Sequence, residues 1–221
     1  MAYPTIDKPY GLKPINLIGG QVFAGATRSR RIDSGAASIG YGDPVELTSS
    51  GTIAVSTATT AAANNGFAGV FLGCNYVSSV TGQPTYSQAW ISGTAVKSGT
   101  YVNAYVADDP NTLFKVVGVT ATLTVSTTGG FVYSDIGTNV ELVANTLNTV
   151  SNDSQQGVRT GSVATTRSLP MRIVDVVEDT AFVSSGTTYY PEVIVKFNAP
   201  YTTGASGLIV GGHAYNNPLG V

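Results

Sequence analysis

The sequence predicts an all-β fold, a small β-barrel or sandwich core with inserted strands, and three observations carry that prediction. Apolar residues recur at a period of two in short runs, as in Thr100 to Ala107, where Val102, Ala104 and Val106 oppose Tyr101, Asn103 and Tyr105. Gly, Pro, Asn and Asp punctuate the chain at short intervals, as turns between strands require. Helical periodicity is almost absent, and about ten strands can be read along the chain.

The stretch from Gly40 to Val77 organises the rest. Val45 and Leu47 alternate with polar neighbours, Ser49-Ser50-Gly51 turns the chain, and Ile53 and Val55 alternate again, which reads as a β-hairpin. Gly66 to Val77 then reads as a strand apolar on both faces. Strict alternation puts Phe67, Phe71 and Val77 on one face and Val70, Leu72, Cys74 and Tyr76 on the other. Gly69 and Gly73 share the Phe71 face, a spacing that points to a bend or to close approach by another backbone. The strand is expected to cross the centre of the barrel or sandwich.

Residues 1–35 differ from the rest of the chain. Pro4, Pro9 and Pro14 recur at five-residue spacing among Tyr3, Tyr10, Leu12, Ile15, Leu17 and Ile18, and Arg28, Arg30 and Arg31 come next. Proline fixes its own φ and extends the residue before it, so an extended arm is predicted. Such an arm either packs on its own domain or reaches a neighbour. The second reading assigns partner contacts to Tyr3, Pro4, Tyr10, Leu12, Pro14, Ile15, Leu17, Arg28, Arg30 and Arg31. On that reading, removing residues 1–31 leaves a core that folds but does not bind.

The core spans 36–200 and divides, if it divides, near residue 110 into 36–110 and 111–200. Ser56 to Asn65 is a loop or one helical turn. Strands are expected at Tyr86–Ile91, Thr94–Val96, Thr100–Ala107, Leu113–Val119, Ala121–Val125, within Asp135–Val143, and at Met171–Val177 and Glu192–Phe197. Gly82-Gln83-Pro84, Asp108-Asp109-Pro110-Asn111 and Thr127-Thr128-Gly129-Gly130 read as turns. The paired aspartates of the second lack the alternating ligands of a calcium loop. Thr146 to Thr166 is polar and reads as a long surface loop or an edge segment. Residues 201–221 form a Gly-, Pro- and Asn-rich tail, expected to be extended and able to dock.

A chain of 221 residues suits one large or two small β domains. Only 11% of it is charged, against roughly 25% in typical domains, so Ser, Thr, Asn, Gly and Tyr cover much of the surface. Few ions must then lose water on contact, which suits either lasting protein contacts or a generic Thr- and Gly-rich β domain. The net charge of −2 argues against nucleic acid as a partner. No basic start followed by an apolar run opens the chain, and no apolar stretch approaches the ~18 residues of a membrane helix, so a protein made in a cytoplasm, with no membrane partner, is expected. The acceptor-like Asn152-Asp153-Ser154 carries no weight in that compartment.

Catalytic patterns are sparse. His213 is the only histidine, Cys74 the only cysteine, and no Gly-x-Ser-x-Gly elbow occurs. One Cys and one His cannot make a usual zinc set, and no phosphate-cradling glycine motif opens a helix. Cys74 lies in an apolar strand and reads as a buried small hydrophobe. A carboxylate pair for glycoside cleavage stays open, because two acids need only meet in space. Tyr86, Trp90, Tyr101 and Tyr105 read as core and interface packing. No cofactor is expected.

Several short motifs, in order, carry a resemblance. They are Gly42-Asp43-Pro44-Val45, Phe67-Ala68-Gly69-Val70-Phe71-Leu72-Gly73-Cys74-Asn75-Tyr76, Trp90, Tyr101-Val102, and Ala107-Asp108-Asp109-Pro110-Asn111-Thr112-Leu113-Phe114, followed by Asp135-Ile136-Gly137 and Arg172-Ile173-Val174. Over most of residues 10–200 the chain resembles the capsid decoration (cement) proteins of tailed bacteriophages. The tail after Ala199 has no counterpart in that pattern. The resemblance implies a non-enzymatic structural virion protein on the outer capsid surface. It would bind the major capsid protein and itself, as a homotrimer, and stabilise the shell. Two alternatives stand beside it: a tail, fibre or neck component of a virion, and a carbohydrate-binding module or glycosidase.

Overall fold

The structure, a computed structural model, describes residues 6–57, 66–122, 124–125, 129–143, 147–148, 150–199, 201–203, 208–210 and 212–216. Its strands are β1 (Lys13–Leu17), β2 (Arg28–Arg31), β3 (Pro44–Leu47), β4 (Ile53–Val55), β5 (Phe67–Val77), β6 (Pro84–Ser87), β7 (Asn103–Ala107) and β8 (Thr112–Val119). They continue with β9 (Asn139–Val140), β10 (Leu142–Val143), β11 (Gly157–Arg159), β12 (Met171–Val176), β13 (Phe182–Ser184), β14 (Thr187–Tyr189), β15 (Glu192–Phe197), β16 (Tyr201–Thr203) and β17 (Leu208–Val210). The fold is all-β, as the alternation predicts.

The first sheet runs β2-β7-β5-β3-β4, with β6 beside β5. It curls until its two edges meet. Ile32, just past β2, bridges Ile53 of β4, and the Asp33 N–H donates to the Ile53 carbonyl at 2.9 Å. The barrel encloses Ile32, Val45, Leu47, Ile53, Phe71, Val102 and Val106, with Ile39 and Trp90 packed on them. Closure leaves little exposed strand edge, which blunts edge-to-edge pairing.

The second sheet runs β10-β11-β8-β15-β12-β9, with β1 beside β8. Only β11 is parallel to its neighbour β8 among these pairs. Its core holds Phe114, Val116, Phe131, Met171, Ile173, Val193, Val195 and Phe197. Phe197 stacks on Phe67 at 4.7 Å and meets Phe114 edge-on at 5.5 Å. The turn at 108–111 carries the chain from one sheet to the other, held by the Asp109 carboxylate accepting from the Asn111 N–H at 2.8 Å. Yet Leu12, Phe67, Val70 and Ala107, all before the turn, complete the second core.

β5 serves both cores, but not by strict alternation. Ala68, Phe71 and Cys74 face the barrel interior, whereas Phe67, Val70 and Leu72 face the second core. Phe67 and Phe71 therefore lie on opposite faces, contrary to the sequence expectation. Two bulges reset the parity. Val45 pairs with Gly69 and Glu46 with Phe67, leaving Ala68 extra; Phe71 pairs with Val106 and Gly73 with Tyr105, leaving Leu72 extra. Gly69 and Gly73 supply the backbone, at φ of 136° and 138°. A Cβ on Gly69 would stand 2.2 Å from the Ala107 carbonyl oxygen, the close approach that its place in the strand suggests.

Both chain ends differ from expectation. Residues 10–32 are not a free arm: β1 pairs with β8, β2 pairs with β7, and Leu12 is fully buried. Apolar residues at Leu12, Ile15 and Leu17 do better in a sheet that shields them than in water. A chain without residues 1–31 lacks both strands, so its core is not the independent unit the arm reading requires. The tail is not simply extended either. β16 and β17 form a hairpin, and His213 and Ala214 are buried.

Other differences are local. Thr146 to Thr166 is not all surface: Ser154, Gln156 and Val158 are buried, Ser154 where Gly11 and Gly40 leave no side chain in the way. The strand expected at Tyr86–Ile91 is β6, ending at Ser87, and Trp90 makes only a bridge to Ile39. Thr94–Val96 and Ala121–Val125 reduce to the bridges Ser78–Val96 and Val119–Val125. The β13–β14 hairpin is not among the expected strands; Ser185 and Gly186, at φ of 50° and 81°, give it the paired positive φ of a tight hairpin turn. Residues 58–65 of the Ala/Thr run, and 127–128 of one expected turn, lie outside the described residues.

Replacing Gly69 with Ala forces a Cβ into the Ala107 carbonyl at a φ that L-residues avoid. The expected loss is roughly 3 kcal/mol or more in urea unfolding, whereas Gly51→Ala, at a turn with open space around it, loses about 1 kcal/mol.

Candidate interaction surfaces

The residues expected to meet a partner divide, where they are described, into three groups. Tyr3 and Pro4 lie outside the described residues. Leu12 is buried and Tyr10 half-buried. Ile6 and Tyr10 cover Val117, Val119 and Val125 on the second sheet. The Tyr10 hydroxyl donates to the Glu192 carboxylate, and Lys115 Nζ stands 3.2 Å from the same oxygen. Glu192 is 4% exposed, so its charge requires these partners. Burial first, and then Glu192, pushes the Tyr10 phenol well above its usual range. Lys13 and Lys115 stand 4.4 and 5.7 Å from the Tyr10 ring centroid. Pro14, Ile15 and Leu17 are half-buried in β1.

Arg28 and Arg30 form the second group. They alternate on β2 opposite Val106 and Ala104, whose side chains enter the barrel, and so share its inner side. There they meet the C-terminal segment. Arg28 Nε lies 2.5 Å from Asp108 Oδ2, and the Tyr215 hydroxyl donates to that oxygen at 2.6 Å. Arg30 donates to the Tyr215 hydroxyl, and both guanidinium groups lie within 6 Å of the Tyr215 ring, at 5.6 and 5.5 Å. Burial and then Asp108 raise the Tyr215 phenol. These arginines therefore fasten the tail to the barrel. A cleft of about 550 Å³ lies beside the clasp, lined by Thr27, Arg28, Asp108, Asp109, Pro110 and Tyr215.

His213 sits beneath Tyr215, 1% exposed, bridged through its backbone to Phe67 and edge-on to Phe197 at 6.0 Å. Its Nδ1 accepts from the Tyr215 N–H at 3.3 Å. Burial pushes the imidazole down to about 4, against the opposing pull of Asp108 and Asp109. Cys74 is buried elsewhere, its thiol donating to the Ala89 carbonyl at 3.7 Å and pushed up to about 11 by burial. The two do not form a nucleophile–base pair. Among the described residues, no group of three His, Cys, Asp or Glu is placed to hold a metal ion. No helix among them is long and apolar enough to cross a membrane.

Among the described residues of this set, Arg31 faces outward from the barrel, in register with Asn103. Arg31, Asn103, Asn75 and Tyr86 lie in register across β2, β7, β5 and β6. The Arg31 guanidinium stacks on Tyr101 at 3.7 Å. Tyr86 and Tyr101 are 73% and 59% exposed. The row thus offers two exposed aromatic rings and one guanidinium, with two half-buried amides between them and no carboxylate in it. Of the core and interface packing expected for Tyr86 and Tyr101, the core part does not hold, since both rings are exposed on this chain. The alternation of Tyr101, Asn103 and Tyr105 against Val102, Ala104 and Val106 is the sequence signal for this face. Nothing local in the sequence brings Tyr86 or Arg31 beside it, nor Asp108 beside Tyr215. Comparison of the chain with protein-family models, with curated proteins and with solved structures found no match.

Because His213 is held neutral while the unfolded chain takes up a proton near pH 6.5, the unfolded state binds more protons between these two values. The stabilisation is complete above about pH 6.5 and is lost as pH falls toward 4, by about 3 kcal/mol in all. His213→Leu is expected to remove this slope, read as the difference between the two proteins' urea stabilities at pH 7 and pH 4.5.

Proposed function

We propose that the chain is a structural, non-enzymatic virion protein that decorates and stabilises a tailed-phage capsid. It would sit on the outer surface, bind the major capsid protein, and associate with itself as a homotrimer. The observation that carries this reading is the row of Arg31, Tyr101 and Tyr86, exposed around the half-buried Asn103 and Asn75. Tyr and Arg are enriched where proteins bind each other, and an acid-free, weakly charged sheet face is desolvated at little cost. The low charge of the chain and its resemblance to cement proteins point the same way. Repetition over a shell turns a modest contact into large resistance, because many linked contacts must fail together.

Proline spacing alone puts the partner contacts on the N-terminal arm. With Leu12 in the core, Tyr10 on Glu192, and Arg28 and Arg30 on the tail, the proposed contacts move to the outer barrel face, where Arg31 is the one retained. The same row favours a second reading, because exposed tyrosines beside amides also suit the faces and hydroxyls of a sugar. A glycan panel separates the two: saturable glycan binding lost in Tyr86→Ala supports the second.

Quantitative mass spectrometry of purified particles tests the first reading. Hundreds of copies, in simple proportion to the shell subunit, are expected. A dozen or fewer would move the protein to the tail, a fibre or the neck, and none would refute a virion role. On particles stripped of the protein, Tyr86→Ala with Tyr101→Ala is expected to weaken shell binding about tenfold or more, ~1.4 kcal/mol, with unchanged thermal unfolding.

A further inference from the structure

The outer face of the second sheet carries two cross-strand pairs of like charge. Lys13 of β1 lies opposite Lys115 of β8, and Arg172 of β12 lies opposite Lys196 of β15. Directly opposed like charges, with Cβ atoms about 5 Å apart, destabilise a sheet. The first pair is compensated within the chain, because Glu192 sits against Lys115 and the Tyr10 ring lies under both ammonium groups.

The second pair has no such compensation. Arg172 Nε donates to the Asn139 side-chain oxygen at 3.1 Å, a neutral partner. Neither Arg172 nor Lys196 forms an ion pair among the described residues. Asp175, the acid nearest along β12, accepts from the Val176 N–H at 2.9 Å and pairs with neither cation. Both cations line a groove of about 350 Å³ whose other walls include Ile18, Ile136 and Val174. Ile18 is 50% exposed. In a chain with so few charges, two uncompensated cations at an apolar groove define a complement: a carboxylate with an apolar side chain beside it.

We propose that this groove binds an acidic, partly apolar peptide segment of a partner protein. A glutamate or aspartate carboxylate plays the part that Glu192 plays beside Lys115, accepting from the Arg172 guanidinium and the Lys196 ammonium. A neighbouring leucine- or isoleucine-sized side chain packs on Ile18 and Ile136. Arg presents a planar donor fork that suits a carboxylate. Nucleic acid is disfavoured because the chain as a whole is acidic, with a net charge of −2. The groove is separate from the barrel-face row, so it stands or falls independently of the decoration reading.

The test uses the full-length protein and a fluorescein-labelled hexapeptide alternating glutamate and leucine. A glutamine–leucine hexapeptide and a hexanucleotide of single-stranded DNA serve as comparisons. Anisotropy titrations at low salt are expected to show the acidic peptide binding at least tenfold more tightly than either. Arg172→Gln with Lys196→Gln should weaken it at least tenfold, and the single Lys196→Gln by a smaller factor. Backbone amide shifts in the wild-type protein should move at Ile136, Arg172 and Lys196 on adding the peptide. Relief of the opposed charges should leave the melting temperature of Lys196→Gln equal to or above that of wild type. Equal affinity for the two peptides, tighter binding of DNA, unchanged affinity in the variants, or shifts confined to other surfaces would overturn the proposal.

Discussion

One strand has to fill two cores, and a two-residue repeat alone cannot bring its large side chains to both in the order in which they occur. β5 meets this demand by breaking its own alternation twice. At Gly69 and Gly73 the backbone enters a region that side chains avoid, one residue is left extra at each bulge, and the parity is reset. Phe67 can then stack on Phe197 in one core while Phe71 fills the barrel. Everything else in the fold is arranged around that strand. β3 and β7 flank it, β6 covers its far end, and the C-terminal segment pairs with its first residue through the Phe67–His213 bridge.

The same economy governs the few charges. Glu192 and Asp108 are each buried or nearly so, and each is matched to a cation and to a tyrosine hydroxyl, Lys115 with Tyr10 and Arg28 with Tyr215. A buried carboxylate left unpaired would cost several kcal/mol, so these two sets hold the chain ends in place more firmly than their surface area alone would. The N-terminal set fixes Tyr10 on one sheet, and the C-terminal set fixes Tyr215 at the barrel. What remains for partners is the surface these sets leave open.

The sequence reveals the β class because alternation and turn residues are local signals, and Val102, Ala104 and Val106 against Tyr101, Asn103 and Tyr105 shows it at its clearest. It reveals that Gly69 and Gly73 matter, but not that they flip the faces of Phe67 and Phe71, because a bulge is set by the partner strand's register. The chain ends depart from expectation for a related reason. Proline spacing predicts extension correctly, but whether an extended segment joins its own sheet depends on an unpaired edge elsewhere, here on β8 and β7. The clasp of Arg28, Asp108 and Tyr215 joins residues far apart in the chain, and no local pattern announces it. Ser154 and Gln156 look like surface because they are polar, yet backbone hydrogen bonds inside the fold hold the segment, including Gly11 N–H to the Gln156 carbonyl and Gln156 N–H to the Ser154 hydroxyl.

The central claim is that β5 makes the barrel and the second sheet one cooperative unit. Native-state hydrogen exchange tests it most directly. The amides of Val70, paired with Pro44 of β3 and Ala107 of β7, and of Phe71, which donates to the Asp43 carbonyl just before β3, should exchange only through global unfolding, with the same free energy as the most protected amides of β8 and β15. Two distinct plateaus, one for the barrel strands and a lower or higher one for β8, β12 and β15, would show two units that unfold separately and would contradict the account.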